Sequence, residues 1–241
     1  MLNKKEILAL VVSIFILSFV FGFDDGSSIF ELNHWLFNFF KIFLLVGISI
    51  LFRELIVKLF ASRHECRSEY EIWNVKQVWF NTRLKFGFPF GVLFSLILAI
   101  ASKGNFFFTA IGSHKIIENK TARVGRKFQS LQYYEEAQIA SMGILASLFV
   151  SIIAMIVGEI FDINISGFVI INFYLALFNM LPFSDLDGAK IFFGSIFMYT
   201  YLLVFIVVAF LLMKFSIILG LVIALLMALI ATGFYFYFSN K

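Results

Sequence analysis

Long apolar segments separated by short polar ones dominate the chain. Seven are present, at about residues 7–23, 35–60, 86–102, 137–161, 166–183, 191–213 and 216–238. A helix needs about 20 apolar residues to cross the hydrocarbon core of a bilayer. The pattern therefore predicts an all-α polytopic membrane protein. We expect a helical bundle with about six spanning helices, a re-entrant or interfacial segment and small β-hairpin elements.

Two polar regions interrupt this pattern. Residues 61–85 alternate locally around Tyr70, Ile72 and Val75, which predicts a short strand or an interfacial segment. Residues 103–135 join an apolar run to a basic, Gly-containing loop and predict a second hairpin. No repeat or linker separates the segments, so we expect a single membrane domain over residues 1–241.

Composition supports the bilayer as the predicted environment. Hydrophobic residues make up 61% of the chain and charged residues 14%, whereas soluble domains carry about 25% charged residues. The formal net charge of +4 arises from loops beside apolar segments, so it does not indicate nucleic-acid binding. The lone cysteine, Cys66, excludes an intramolecular disulfide.

Basic residues predict the orientation. Eleven Lys and Arg lie between residues 61 and 135, and such residues favour cytoplasmic loops. The prediction is a multi-pass protein of the cell membrane with a cytoplasmic N-terminus. The 86–102 segment, which begins near Pro89, would then dip into the membrane or lie along it. The alternative is a full span that places the basic residues 120–127 outside.

The charged residues inside the second apolar segment require a structural explanation. Each costs about 2.5–3.5 kcal/mol at the centre of a membrane helix. Lys41 and Lys58 are expected to extend toward the interface along their aliphatic stems. Arg53 and Glu54 are expected near the depth of Asp187, where a buried Arg would pair with a carboxylate.

The segment Asn179–Gly188 (NMLPFSDLDG) carries a specific motif. It resembles the N-x-L-P-x-x-x-L-D-G motif of site-2 proteases, which are intramembrane zinc metalloproteases, with Asn179, Pro182 and Gly188 in register. The resemblance implies that Asp187 stands at the position of the third metal ligand.

A second segment, Arg53–Arg63 (RELIVKLFASR), resembles the archaeal-type H-E-L-x-H-K-x-x-A-x-R pattern of that family. In the pattern, two His bind zinc and the Glu activates the metal-bound water. The resemblance implies that Glu54 stands at the general-base position. Arg53 and Val57 replace the two histidines, and neither side chain can donate a lone pair to zinc.

A third segment, residues 137–147, resembles the family's I-x-x-A-G-P-x-x-N helix start and keeps Gly143. The resemblance thus covers a protease-like core over about residues 35–195. The helices predicted at 7–23, 191–213 and 216–238 would be peripheral.

The absence of the two histidines changes the function that the resemblance predicts. His34, His64 and His114 are expected to lie away from Glu54, so we expect no zinc unless the family activity is retained.

In place of the metal, Arg53 is expected to supply the positive charge and to pair with Asp187. The resemblance then implies a non-catalytic pseudoprotease that binds membrane-protein clients or partners, with residues 61–85 as an edge for strand addition. The alternatives are an active intramembrane zinc metalloendopeptidase with unrecognised ligands, or a membrane transporter.

Overall fold

The computed structural model describes residues 3–27, 30–79, 82–118, 131–212 and 217–239. These residues form eight α-helices and four short β-strands. The helices are α1 (Lys4–Phe21), α2 (Leu32–Arg63), α3 (Phe90–Ala101), α4 (Tyr133–Phe161), α5 (Ser166–Asn179), α6 (Asp187–Gly194), α7 (Ile196–Leu212) and α8 (Ile217–Ser239). The strands are β1 (Cys66–Ile72), β2 (Val75–Trp79), β3 (Thr82–Phe88) and β4 (Gly112–Glu118).

The largely helical architecture confirms that part of the prediction. Within the described ranges, α4 is the one helix that is long and apolar enough to cross a membrane by length and composition. Shorter apolar helices are α3, α5, α7 and, within α8, the stretch Leu219–Gly233. The arrangement of six spans stays a prediction.

Backbone contacts divide the chain into two compact units. The first comprises Met1–Phe128 with Ser184–Leu186, and the second comprises Gln129–Phe183 with Asp187–Lys241. The prediction of a single domain stays a prediction.

In the first unit, α1 packs on α2, and both helices contact β1. Strand β1 pairs antiparallel with β4, so that Cys66 lies opposite Glu118 and Ile72 opposite Gly112. Strands β2 and β3 form a separate two-stranded sheet. In the region 103–135, where a second hairpin was expected, β4 pairs with the distant strand β1. Residues 119–130 of that region lie outside the described part of the chain.

Helix α3 begins immediately after Pro89, where the sequence predicted a bend. Its 12 residues rise about 18 Å, less than the roughly 30 Å of hydrocarbon. The re-entrant or interfacial arrangement of residues 86–102 stays a prediction. Gly91 allows α3 to approach the chain before β4, because a Cβ there would stand 2.7 Å from the carbonyl oxygen of Ile111.

In the second unit, α4 packs against α5 and α6, while α7 packs against α5, α6 and α8. The apolar segment predicted at 191–213 is divided at Ser195 into α6 and α7. The buried side chains between these helices form one apolar core. Its members include Ala140, Ile144, Leu148, Phe173, Ala176, Met180, Ile191, Leu202, Ile206 and Ala209.

The loop between α1 and α2 is organised by Asp25. The Ser27 hydroxyl donates to Asp25 Oδ1 at 2.6 Å, the Ser27 amide donates to the same oxygen at 3.0 Å, and His34 Nδ1 lies 3.0 Å from Oδ2. These hydrogen bonds favour the ionised carboxylate and lower the pKa of Asp25 to about 2. The hydrogen bond from the Ser27 hydroxyl makes the largest contribution.

We expect Ser27→Ala to raise the pKa of Asp25 toward its ordinary value, because the leading hydrogen bond is removed. A carboxylate with a lowered pKa stabilises the fold above its ordinary pKa and loses that effect as the pH falls toward 2. Carboxyl-carbon NMR titration measures the shift. Ser62→Ala, which removes an exposed hydroxyl that bonds within α2, is the control and should leave Asp25 unchanged.

Gly194 is required where α6 meets the start of α4. A Cβ there would stand 2.3 Å from the carbonyl oxygen of Tyr133 and 2.5 Å from Ala137 Cβ. We expect Gly194→Ala to lower the free energy of unfolding by about 1–3 kcal/mol, because backbone must move to admit the methyl group. Gly233→Ala in α8 meets nothing within 4 Å and should be neutral or slightly stabilising. Denaturant titration in detergent measures both, and equal effects would contradict the packing described.

Candidate functional site

Helix α2 buries two charged residues among apolar ones and exposes a run of large apolar side chains. Arg53 (5% exposed), Glu54 (4%) and Val57 (0%), the three positions singled out in the sequence, all lie on the buried face. The opposite face exposes large apolar side chains at intervals of three and four residues. They are Phe37, Phe40, Leu44, Ile48, Leu51, Leu55 and Leu59.

Glu54 is held by two basic side chains. His114 Nε2 lies 3.0 Å from Glu54 Oε2, and Lys58 Nζ lies 3.3 Å from Oε1. Because an ionised carboxylate can only accept, the imidazole N–H must donate in this pair. Both carboxylate oxygens therefore have a cationic or donor partner from the chain itself.

His114 reaches Glu54 through strand pairing. In the β1–β4 ladder His114 lies opposite Tyr70, and the two rings meet edge to face with centroids 5.8 Å apart. Gly112 makes the close approach possible, because a Cβ there would stand 2.5 Å from the Tyr70 ring. The expectation that His114 lies away from Glu54 is wrong, since His114 is fully buried beside it. The alternation around Tyr70 and the glycine at 112 are the sequence features related to this pairing, but neither identifies the partner strand.

Lys58 connects Glu54 to the first helix. Its ammonium forms an ion pair with Glu6 and donates to the carbonyl oxygen of Ser68 at 3.1 Å. The expectation that Lys58 extends freely toward the interface is wrong, because its side chain is 29% exposed and contacts both carboxylates.

Glu6 is the functional residue that sequence reasoning missed. It is buried on α1 and also accepts the backbone N–H of Tyr70 at 3.1 Å. Nearby, the Tyr70 hydroxyl donates to Ser13 Oγ at 3.0 Å. Glu6, Lys58, Glu54 and His114 form a continuous series of acid and base groups, in which Glu6, Glu54 and His114 are buried and Lys58 is partly exposed. We call it the ionic chain of the first unit.

Asp187 occupies a comparable electrostatic situation in the second unit. It is fully buried at the first position of α6, where the helix dipole favours a negative charge. Lys190, one turn later, places Nζ 3.3 Å from Asp187 Oδ1. Asp187 is thus paired with a cation from its own helix. The predicted Arg53–Asp187 pair stays a prediction.

The remaining motif residues shape the turn into α6. Asn179 ends α5, is buried, and donates from Nδ2 to the Leu175 carbonyl at 2.7 Å. Pro182 is exposed in the break between α5 and α6. Gly188 is sterically required, because a Cβ would stand 2.3 Å from the backbone carbon of Met180. Gly143 is buried in α4 and accepts the Ser147 hydroxyl at 3.3 Å.

The side chains present do not fit zinc. Arg53 and Val57 offer no donor at the two histidine positions, and Glu54 is held by His114 and Lys58. Across the described residues, no group of three or more His, Cys, Asp or Glu could hold a metal ion.

Comparisons with known proteins leave the family open: the chain matches no protein-family model, curated protein or solved structure at a significant level.

The Glu54–His114 pair can be tested by a double-mutant cycle. We expect Glu54→Gln and His114→Gln each to cost about 3 kcal/mol of unfolding free energy, because each leaves a buried group without its partner. The double variant should cost less than the sum by about 1–3 kcal/mol. Denaturant titration in detergent measures the four proteins.

The matched control is the Glu71–Lys115 pair, which joins β1 to β4 at 3.8 Å but is exposed. Its cycle should show coupling near zero. Similar coupling in the two cycles would contradict a special role for the buried pair.

Proposed function

We propose that this chain is a site-2-protease-like integral membrane protein without proteolytic activity, which binds membrane-protein clients or partners. The observation that carries the proposal is the state of Glu54. The residue that aligns with the family's general base is held by His114 at 3.0 Å and Lys58 at 3.3 Å. Beside it, Arg53 and Val57 stand where the family binds its metal.

The chemistry of the family explains why this arrangement would be catalytically inactive. A catalytic zinc takes three protein ligands and keeps one position for water. The general base must then accept a proton from that water. A carboxylate whose two oxygens already face an imidazole and an ammonium is poorly disposed to accept it. The same pairs give the buried carboxylate its counter-charge, so no metal is needed for electrostatic balance.

The two faces of α2 support a multi-pass membrane location. The exposed apolar side chains run from Phe37 to Leu59, which is about 33 Å along a helix. This matches the roughly 30 Å of a hydrocarbon core. A surface helix of a soluble protein exposes polar side chains, so this run of exposed apolar side chains favours contact with lipid. The basic residues between 61 and 135 favour a cytoplasmic N-terminus in this arrangement.

The strands support client binding by backbone pairing. Strand β1 pairs with β4 alone among the described strands, and β2 pairs with β3. The outer edge of β1 is engaged within the first unit, because the Tyr70 amide donates to Glu6 and the Ser68 carbonyl accepts from Lys58. The outer edges of the β2–β3 sheet have backbone groups that could pair with an extended peptide. A client segment that unwinds beside these strands could pair with them as a further strand.

Metal content and cleavage test the proposal directly. We expect the purified wild-type protein to contain far less than one zinc per chain and to leave a transmembrane client intact. An active site-2 protease on the same client is the positive control. Stoichiometric zinc together with cleavage abolished by Glu54→Gln would overturn the proposal in favour of an active protease.

Restoring histidine tests whether the buried face of α2 retains the family's shape. Residues 53 and 57 are one turn apart on that face, the spacing at which two His share a metal. We expect Arg53→His with Val57→His to gain zinc binding in equilibrium dialysis, and either single change to gain little. The control is the same pair of changes at Leu51 and Leu55 on the exposed face. Equal zinc binding by the two double variants would remove the structural support for the resemblance.

A further inference from the structure

A hairpin with two unlike arms precedes β4 in the first unit. Its first arm is α3, and its second arm is the extended stretch 106–111. The arms pack against each other, because the rings of Phe94 and Phe108 meet edge to face with centroids 4.8 Å apart. At the turn between them, the N–H of Phe106 donates to the Ser102 hydroxyl at 3.0 Å. We call the two arms and their turn the α3 hairpin.

Both arms of the α3 hairpin are bonded to the end of β1. The Trp73 N–H donates to the carbonyl oxygen of Ile111 at 2.8 Å, and the Trp73 carbonyl accepts the N–H of Gly91 at 3.3 Å. At the far end of the β1–β4 pair, Cys66 lies opposite Glu118. The chain therefore leaves along β1, forms the hairpin and returns beside β1 to the level at which that strand began.

The base of the α3 hairpin lies near the first half of α1. The Tyr70 amide donates to Glu6 at 3.1 Å, and the Tyr70 hydroxyl donates to Ser13 at 3.0 Å. Trp73 follows Tyr70 by three residues, which is about 10 Å of extended chain. The hairpin thus begins close to the end of α1 that carries the N-terminus.

The tip of the α3 hairpin lies at the opposite end of α1. Gly104 has a φ of 81°, and a Cβ there would stand 2.9 Å from the Cβ of Asp24, which follows the last turn of α1. One turn of chain away, the rings of Phe107 and Phe21 pack with centroids 5.1 Å apart. The tip therefore contacts the start of the loop that joins α1 to α2.

These contacts extend along nearly the whole of α1. Its 18 residues rise about 27 Å, close to the roughly 30 Å of a hydrocarbon core. Where α1 crosses a bilayer, Glu6 and Asp24 lie near opposite faces. The 12 residues of α3 supply about 18 Å of the distance between the base and the tip of the hairpin.

The second arm meets the requirement that a bilayer sets for backbone without helical hydrogen bonding. Such backbone is tolerated at membrane depth where the protein itself covers it. Residues 108–111 of the extended arm are all buried. The arm is therefore compatible with a position inside the hydrocarbon region.

From these contacts we infer that the α3 hairpin is re-entrant and carries its tip, Lys103–Asn105, to the membrane face on which the α1–α2 loop lies. Strands β1 and β4 remain at the end of α1 that carries the N-terminus. The inference rests on the membrane location proposed above and not on the absence of proteolytic activity. It separates Lys103 from the other ten of the eleven basic residues between positions 61 and 135, which still favour the cytoplasmic side.

The position of the tip relative to β4 distinguishes three arrangements of this region. An interfacial α3 would leave the tip and β4 together on the side of the N-terminus. A full span would carry the tip and β4 together to the opposite face. The re-entrant hairpin places the tip and β4 on different faces.

The test uses single-cysteine variants of the full-length protein in a Cys66→Ala background, labelled in cells with a membrane-impermeant maleimide before and after permeabilisation. Asn105→Cys reports the tip, Glu31→Cys reports the α1–α2 loop, and Asn3→Cys reports the N-terminus, all at exposed positions. We expect Asn105→Cys to be labelled in intact cells to the same extent as Glu31→Cys. Asn3→Cys should be labelled only after permeabilisation.

Two further variants make the result decisive. Lys103→Cys is a second report of the tip and should match Asn105→Cys, whereas Lys115→Cys, exposed on β4, should match Asn3→Cys. Labelling of the tip and β4 from the same side, whichever side it is, would overturn the inference alone. Labelling of Asn3→Cys and Glu31→Cys from the same side would overturn it together with the membrane location. None of these outcomes bears on zinc content or client cleavage, which test the absence of proteolytic activity separately.

Discussion

The cost of removing charge from water governs the first unit. An ion moved into a low-dielectric interior loses several kcal/mol of solvation, which only a close counter-charge and hydrogen bonds can offset. The ionic chain meets this requirement by alternating acid and base from Glu6 through Lys58 and Glu54 to His114. Because its members come from α1, α2 and β4, satisfying their charges also determines where these elements meet. Strand β1 completes the arrangement through the Tyr70 amide, which donates to Glu6.

The same requirement is met separately at Asp187. A carboxylate at the start of α6 is stabilised by the helix dipole and by Lys190 one turn later. Each of the two carboxylates, Glu54 and Asp187, thus has a cation from its own unit. Gly188 is sterically required, because a Cβ there would meet the Met180 backbone.

Local patterns in the sequence predicted the helices and the burial of Glu54 and Asp187. The residues that pair with Glu54 could be identified only from the structure. Apolar runs are encoded by neighbouring residues, so they can be recognised without tertiary information. His114 contacts Glu54 across 60 residues, and its position depends on which strand β1 selects. Local alternation identifies a strand but not its partner. Glu6 was missed for a related reason. It lies between Lys5 and an apolar run, where a charged residue usually marks only the end of the apolar segment.

The long separation between Glu54 and His114 has a consequence for biogenesis. Protein synthesis proceeds at about 5–20 residues per second, so the 60 residues between them take roughly 3–12 s to appear. The same delay separates the moments at which Glu54 and His114 leave the ribosome, and in that time Lys58, one turn away on α2, is the nearby cation for Glu54. Docking of α1, which brings Glu6 to Lys58, is available at this stage. The nascent α1–α2 pair can therefore hold these charges together until the imidazole arrives, and the order of synthesis becomes part of how this interior is assembled.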